Sequence, residues 1–162
     1  MKKIVLDTNI VLDLFVFTDA KTASLKQAFE SGTHQWIATQ PMRDELERVL
    51  AYPQIVPRLA FYKLTAAGVL AKFDKFAQLV LVAPKASVTC KDPDDQKYID
   101  LAVAHKSLLL SKDNAVLCMA KRLLAFGVRV AWQRPVIAPQ PPSQNSPPSP
   151  AANTAHKSAT TR

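Results

Sequence analysis

The chain has 162 residues, 48% of them apolar, enough for one domain with a real core. Its formal charge of +8 favours polyanions as partners, although a basic protein with no nucleic-acid partner fits that charge equally well. Two isolated cysteines, Cys90 and Cys118, are too few for a disulfide framework or a zinc site. The start Met1-Lys2-Lys3-Ile4-Val5-Leu6-Asp7 reaches an acid too soon for a signal peptide. No apolar run approaches the roughly 20 residues that span a bilayer. A reduced, cytoplasmic protein with no membrane partner is expected.

Lys3 to Leu6 is short, β-branched and apolar and stops at Asp7-Thr8-Asn9, the pattern of a buried strand followed by a turn. Ile10 to Phe17 reads as a short apolar helix belonging mostly to the core. Thr22 to Glu30 is a more polar helix stopped by Gly32, a good C-terminal signal. Gln35 to Ala38 makes a second strand. Pro41 to Ala51 is helical, with Met42, Leu46, Val49 and Leu50 on one stripe, and Pro53 and Pro57 break it. One long amphipathic helix is expected from about residue 59 to residue 78, with Lys63, Lys72 and Lys75 on its wet side, then a third strand over Leu79 to Val82. Asp94 to Lys106 is a helix, Leu108 to Ser111 a buried strand, Ala115 to Phe126 a helix stopped by Gly127, and Val128 to Ala131 the last strand.

Strands alternating with helices imply a mostly parallel sheet of about five strands, covered on both faces as a three-layer α/β/α sandwich. The folded unit is expected over residues 1–134. The segment 135–162 holds more than half of the prolines, with Ser, Ala, Gln, Asn and Thr and no aromatic residue; such a stretch buries too little apolar surface to offset its ordering entropy, so disorder is expected there. Removing Lys157 and Arg162 from the total of +8 leaves +6 with the domain.

Ligands of open parallel sheets bind outside the carboxyl ends of the strands, and several of the few acids fall there. Asp7 ends the first strand, Asp113 follows the strand over Leu108 to Ser111, Asp95 opens the helix leading into that strand, and Glu45 lies in the helix after strand two. Each has a plain structural explanation. Asp92 fits an N-cap with Pro93 at the first helical position and Asp94 and Asp95 facing the helix dipole. Asp113 fits a cap, Asp7 an Asx-turn, and Glu45 a solvated helix position. Together they say more. On an ideal helix Asp95 shares a face with Ile99 and Ala102, and Glu45 borders the Met42/Val49 stripe. Carboxylates near a buried stripe cost several kcal/mol unless paired, and no buried Arg or Lys is an obvious partner. Hard divalent cations are, since Mg²⁺ and Mn²⁺ prefer oxygen ligands.

Ile4-Val5-Leu6-Asp7-Thr8-Asn9 at the start, Glu45 in the third helix, Asp95 in an Asp-Pro-Asp-Asp run, and Ser111-Lys112-Asp113 closing a strand resemble the PIN-domain nucleases. Lys91-Asp92-Pro93-Asp94-Asp95 with Tyr98-Ile99-Asp100-Leu101-Ala102 is similar to the branch (VapC-like) that supplies toxin components of toxin–antitoxin pairs. The resemblance runs from about residue 2 to residue 131. It implies a sheet order 3-2-1-4-5 and Mg²⁺- or Mn²⁺-dependent hydrolysis of RNA phosphodiesters by the quartet Asp7, Glu45, Asp95 and Asp113. It sets Asn9 and Ser111 where they would support the metal or its ligands, and Asp94 remains an alternative to Asp95. It also implies an antitoxin protein and a second copy of the chain as partners. Lys112 stands where many relatives carry Gly or Arg, and the tail has no family counterpart.

The chemistry expected is a water acidified by a metal at Asp7, Asp95 and Asp113, with Glu45 helping to stabilise the leaving oxygen. Arg43, Lys91, Lys97 and Lys112 are candidates for contacts to RNA phosphates. The alternative is an inactive module of the same fold that binds RNA or a partner without cutting. A phosphoaspartyl enzyme would want a second Asp where Asn9 stands, and a receiver domain an acidic pair after strand one and a Lys after the last strand. His34, His105 and His156 lack metal-ligand spacing, and Trp36 and Trp132 read as core or interface residues.

Overall fold

The computed structural model describes residues 2–131. Trp132, His156, the expected boundary at residue 134 and the segment 135–162 lie outside the described residues. Five strands, β1 (Lys2–Leu6), β2 (His34–Ala38), β3 (Ala77–Leu79), β4 (Leu108–Leu110) and β5 (Arg129–Ala131), form one sheet in the order β3-β2-β1-β4-β5. Every pairing is parallel, so the sheet follows the expected 3-2-1-4-5 order. The central strand explains its own position. Ile4, Val5 and Leu6 are consecutive and all buried, which requires cover on both faces and suits a strand flanked by β2 and β4.

Helices α1 (Thr8–Phe15), α2 (Ala23–Ser31), α3 (Gln40–Leu50), α4 (Val56–Phe61), α5 (Ala66–Phe76), α6 (Gln96–His105), α7 (Asn114–Leu117) and α8 (Ala120–Leu124) surround the sheet. The result is a three-layer α/β/α sandwich. The α1 helix is apolar and almost wholly buried, as its composition requires. Gly32 ends α2 at φ +81°, a left-handed cap suited to glycine. Met42, Leu46 and Leu50 bury one stripe of α3, with Val49 packed at its edge. Trp36 belongs to the core: Phe15, Phe29 and Phe73 surround its ring at centroid distances of 5.9, 5.7 and 5.0 Å.

Three expectations are corrected. The single helix over 59–78 is two: α4 begins with Pro57 in its first turn, where a missing N–H costs nothing, so Pro57 starts a helix instead of only ending one. Lys63 turns through φ +59°, and Thr65 restarts the helix by accepting the Gly68 N–H at 3.0 Å. Strand β3 lies over Ala77–Leu79 and not 79–82, because Trp36 to Ala38 pair with Ala77 to Leu79; tertiary pairing overrides the helical pattern at its end. The helix over 115–126 is likewise divided, α7 ending at Leu117 and α8 beginning at Ala120. Cys90 and Cys118 are free thiols, and no described helix is long and apolar enough to cross a membrane.

Candidate metal centre

Sheet register builds the site. Leu6 pairs with Leu110 in the β1–β4 ladder, so the next residues, Asp7 and Ser111, leave the sheet side by side at its carboxyl edge. Backbone bonds hold both exits: Asp7 N–H donates to Leu110 O at 3.0 Å and Ser111 N–H to Ala131 O at 3.1 Å. Asp7 precedes α1 but makes no capping hydrogen bond with its side chain. Its Oδ2 instead accepts from Ser111 Oγ at 2.7 Å. Ser111 Oγ also accepts the Asp113 N–H at 3.0 Å, so one fully buried hydroxyl positions two of the acids.

Asp92 takes over the capping duty at the start of the next helix, accepting the Asp94 N–H at 3.0 Å. Pro93–Asp95 form a 3-10 turn, so Asp95 precedes α6 instead of lying in its first turn, and it makes no capping bond. It points inward with Ile99 and Ala102, which are both buried. Asp113 does double service: Oδ1 caps α7 by accepting the Ala115 N–H at 3.0 Å.

Asp7, Asp95 and Asp113 each offer an oxygen, and the three oxygens lie within 4.8 Å of one another. Asp7 is 4% and Asp95 7% exposed, and Asp95 Oδ2 has no hydrogen-bond partner among the described residues. Three carboxylates this close, two of them shielded from water, repel one another strongly. Burial raises the Asp95 pKa to about 8, aided by the adjacent Asp113 carboxyl and by the charges of Asp7, Asp113 and Asp92. Burial also raises that of Asp7, opposed by the Ser111 hydrogen bond and reinforced by Glu45 and Asp113. A hard divalent cation answers both the charge and the orphaned oxygen, so the donor set fits one.

Glu45 lines the same cavity of about 300 Å³ as the three aspartates, as do Asn9, Asp92 and Asp94. It is not part of the three-acid cluster. Its Oε2 accepts from Thr8 Oγ1 at 3.1 Å, Tyr98 Oη points at Oε1 from 3.3 Å, and Thr8 Oγ1 and Tyr98 Oη are 2.6 Å apart. Lys97 Nζ reaches Glu45 Oε1 at 2.6 Å. The cation that meets Glu45 is thus a half-exposed lysine and not a buried one. Burial and the Glu45 charge push the Tyr98 pKa up, so the phenol stays protonated and available as a donor.

Asp94 is exposed, and its backbone carbonyl accepts from Lys97 Nζ at 2.7 Å; the three-acid cluster forms around Asp95. Of the four candidate RNA contacts, Arg43 makes a two-pronged pair with Asp74 at 2.7 and 2.8 Å, Lys97 meets Glu45, and Lys112 Nζ meets Asp13 Oδ2 at 2.8 Å. Lys91 is exposed and makes no ion pair among the described residues. Sequence reading overlooked Thr8 and Tyr98, whose hydroxyls hold Glu45. Asp13 was missed too, because a lone acid in an apolar helix carries no partner signal along the chain.

No curated protein matches the chain at a significant level. The sequence pattern of the PIN domain, a three-layer nuclease fold whose members are generally metal-dependent, matches residues 3–115, a span from β1 into α7 that includes all three clustered aspartates. Matched over more than half of its length and with the sheet order of that fold, the chain belongs to the PIN domain family.

Proposed function

We propose that this PIN-domain chain is an endoribonuclease dependent on Mg²⁺ or Mn²⁺, with Asp7, Asp95 and Asp113 as metal ligands and Glu45 as the fourth catalytic acid. The observation that carries the reading is the convergence of three carboxylates on one point, two of them buried and one half-buried, with one buried oxygen that no described group satisfies. Bound there, a divalent cation supplies acidification of water and neutralisation of charge on the phosphodiester. The chain's own residues prepare the site. Ser111 orients Asp7 and the Asp113 backbone, and Asp95 makes no capping bond, which leaves its carboxyl to the cluster. Thr8, Tyr98 and Lys97 fix the Glu45 carboxylate at the cavity wall. Asn9, at the cavity rim, supports the metal's surroundings, and Asp94 adds negative charge at the opening.

RNA as substrate is supported by the net charge of +8; Lys91, next in the chain to the cavity residue Asp92, is the foremost candidate for a phosphate contact, with Arg43, Lys97 and Lys112 adding positive potential from within their ion pairs. The toxin role is supported by the run from Lys91 to Asp95 with Tyr98 to Ala102. An antitoxin or a second copy as partner is supported by exposed Phe61, Leu79, Leu81 and Val82, apolar side chains of the kind that protein partners cover.

The test is cleavage of a labelled single-stranded RNA with Mg²⁺ or Mn²⁺ by wild type, Asp7→Asn and Asp95→Asn. Cleavage by wild type alone is expected. Binding by all three without cleavage would favour an inactive RNA-binding module, and cleavage by Asp7→Asn in excess EDTA would overturn the metal mechanism. Growth arrest on expression of wild type, but not of Asp7→Asn, is expected of a toxin.

A further inference from the structure

At the opposite, amino-terminal edge of the sheet lies a larger cavity of about 700 Å³. Lys2, Lys3, His34, His105, Lys106 and Arg129 line it, and no acidic residue does. Helix ends do not account for this collection of charge. His105 and Lys106 do close α6, where cations complement the dipole, but Lys2, Lys3 and Arg129 are strand residues. Parallel register assembles them, since Lys2 pairs with His34 and Lys3 with Gln35 along β1–β2, and Leu108 with Arg129 along β4–β5.

Two of the lysines make contacts within the cavity wall. Lys3 Nζ and His105 Nδ1 are 3.4 Å apart. Lys106 adopts φ +49° and rests its stem on Gly127, where an added Cβ would meet Lys106 Cγ at 3.2 Å. Ser107, also in the cavity wall, is 4% exposed, and its Oγ has no hydrogen-bond partner among the described residues. A buried hydroxyl without a partner is unfavourable. Repulsion among several cations adds to the unfavourable balance. One kind of ligand relieves both: an anion with several oxygens that accepts from the cations and from Ser107 together.

We propose that this amino-edge cavity is a second binding site, separate from the acidic centre, that takes clustered phosphate oxyanions. A single phosphate would engage few of the basic side chains; two or more linked phosphates can meet several of them at once. The source is either a free oligophosphate group, as on a nucleotide, or the backbone of an RNA chain passing beyond the acidic centre. The site's existence is independent of the proposed ribonuclease activity.

The test is calorimetric titration of the full chain with inorganic pyrophosphate in EDTA, where no divalent cation can carry the anion to the acidic centre. Saturable binding at one site per chain is expected. Lys3→Gln and Arg129→Gln should each weaken it by at least about tenfold, whereas Lys72→Gln, which removes the same charge from the exposed side of α5, should change it by less than about twofold. Ser107→Ala should weaken binding while leaving the unliganded protein as stable or more so, an outcome that a merely structural role for Ser107 would reverse. Competition by a single-stranded RNA oligonucleotide, lost in Lys3→Gln, would identify RNA backbone as the source. Binding of pyrophosphate with no such competition would identify a free oligophosphate. Absence of saturable pyrophosphate binding, or equal weakening in all three charge variants, would overturn the proposal.

Discussion

Asp7 and Ser111 stand 104 positions apart in the chain, yet their side-chain oxygens are 2.7 Å apart. The pairing of Leu6 with Leu110 brings them out of the sheet together, and the hydroxyl then fixes the carboxylate. Ser111→Ala removes that donor and the acceptor for the Asp113 N–H. Mn²⁺ affinity is expected to fall about 10–100-fold, the usual cost of losing a group that orients a metal ligand, with Ser111→Thr recovering most of it. Calorimetric Mn²⁺ titration of both variants measures this; unchanged affinity in the alanine variant would remove Ser111 from the positioning role.

Asp95 should destabilise the metal-free fold. Its pKa, 3.8 in an exposed carboxyl, is raised to about 8, so the folded chain holds this proton more tightly than the unfolded chain does. Stability from this group is fully present below the unfolded value and is lost as pH climbs toward the folded one. His34 and His105 act in the opposite direction, their pKa values lowered chiefly by burial. The informative quantity is therefore the difference between variant and wild type. In EDTA, Asp95→Asn is expected to melt above wild type, by a margin that widens from about pH 5.5 to about pH 8. Saturating Mg²⁺ should raise the wild-type melting temperature and leave the variant's nearly unchanged. A margin independent of pH would show that Asp95 is not held protonated.

The hydroxyl pair on Glu45 predicts a different signature. Tyr98→Phe removes the group that lies 2.6 Å from Thr8 Oγ1 and points at Glu45. Because Glu45 lies outside the three-acid cluster, Mn²⁺ affinity should stay within about twofold, while stability falls by about 1–2 kcal/mol and RNA cleavage declines. Denaturant unfolding, metal titration and cleavage rate on one variant separate the three effects. A large loss of metal affinity would place Glu45 and its partners in the metal's own shell.

Much of this was legible along the chain where local pattern and tertiary structure agree. The run Ile4 to Leu6 is apolar at every position and could only be a strand covered on both faces; Gly32 could only end a helix. The breaks at Lys63 and after Leu117 were not legible, because apolar spacing continues through both and the capping role of Thr65 emerges only once Gly68 is seen to donate to it. Asp7, Asp95 and Asp113 were legible as acids at strand exits. The support around them was not. Thr8, Tyr98 and Lys97 converge on Glu45 from α1 and α6, and nothing in one-dimensional spacing marks a hydroxyl as a neighbour of a carboxylate in another helix.

Lys112 is placed to serve a buried carboxylate as well as a substrate. Beside Asp113 it reads as an RNA contact, but its Nζ lies 2.8 Å from Asp13 Oδ2, a carboxylate 4% exposed. Removing one member of such a pair leaves a buried charge without its counterion, a loss that approaches about 3–5 kcal/mol when both members are buried. Lys112 keeps part of its side chain in water, so about 1–3 kcal/mol is the expected cost of Lys112→Gln. Asp13→Asn in the same chain should recover much of it, because the charge left behind is then gone. Urea unfolding of the two single variants and the double variant forms a cycle that measures the coupling. If Lys112→Gln instead leaves stability unchanged and lowers only RNA affinity, the lysine serves the substrate and the pair with Asp13 is incidental.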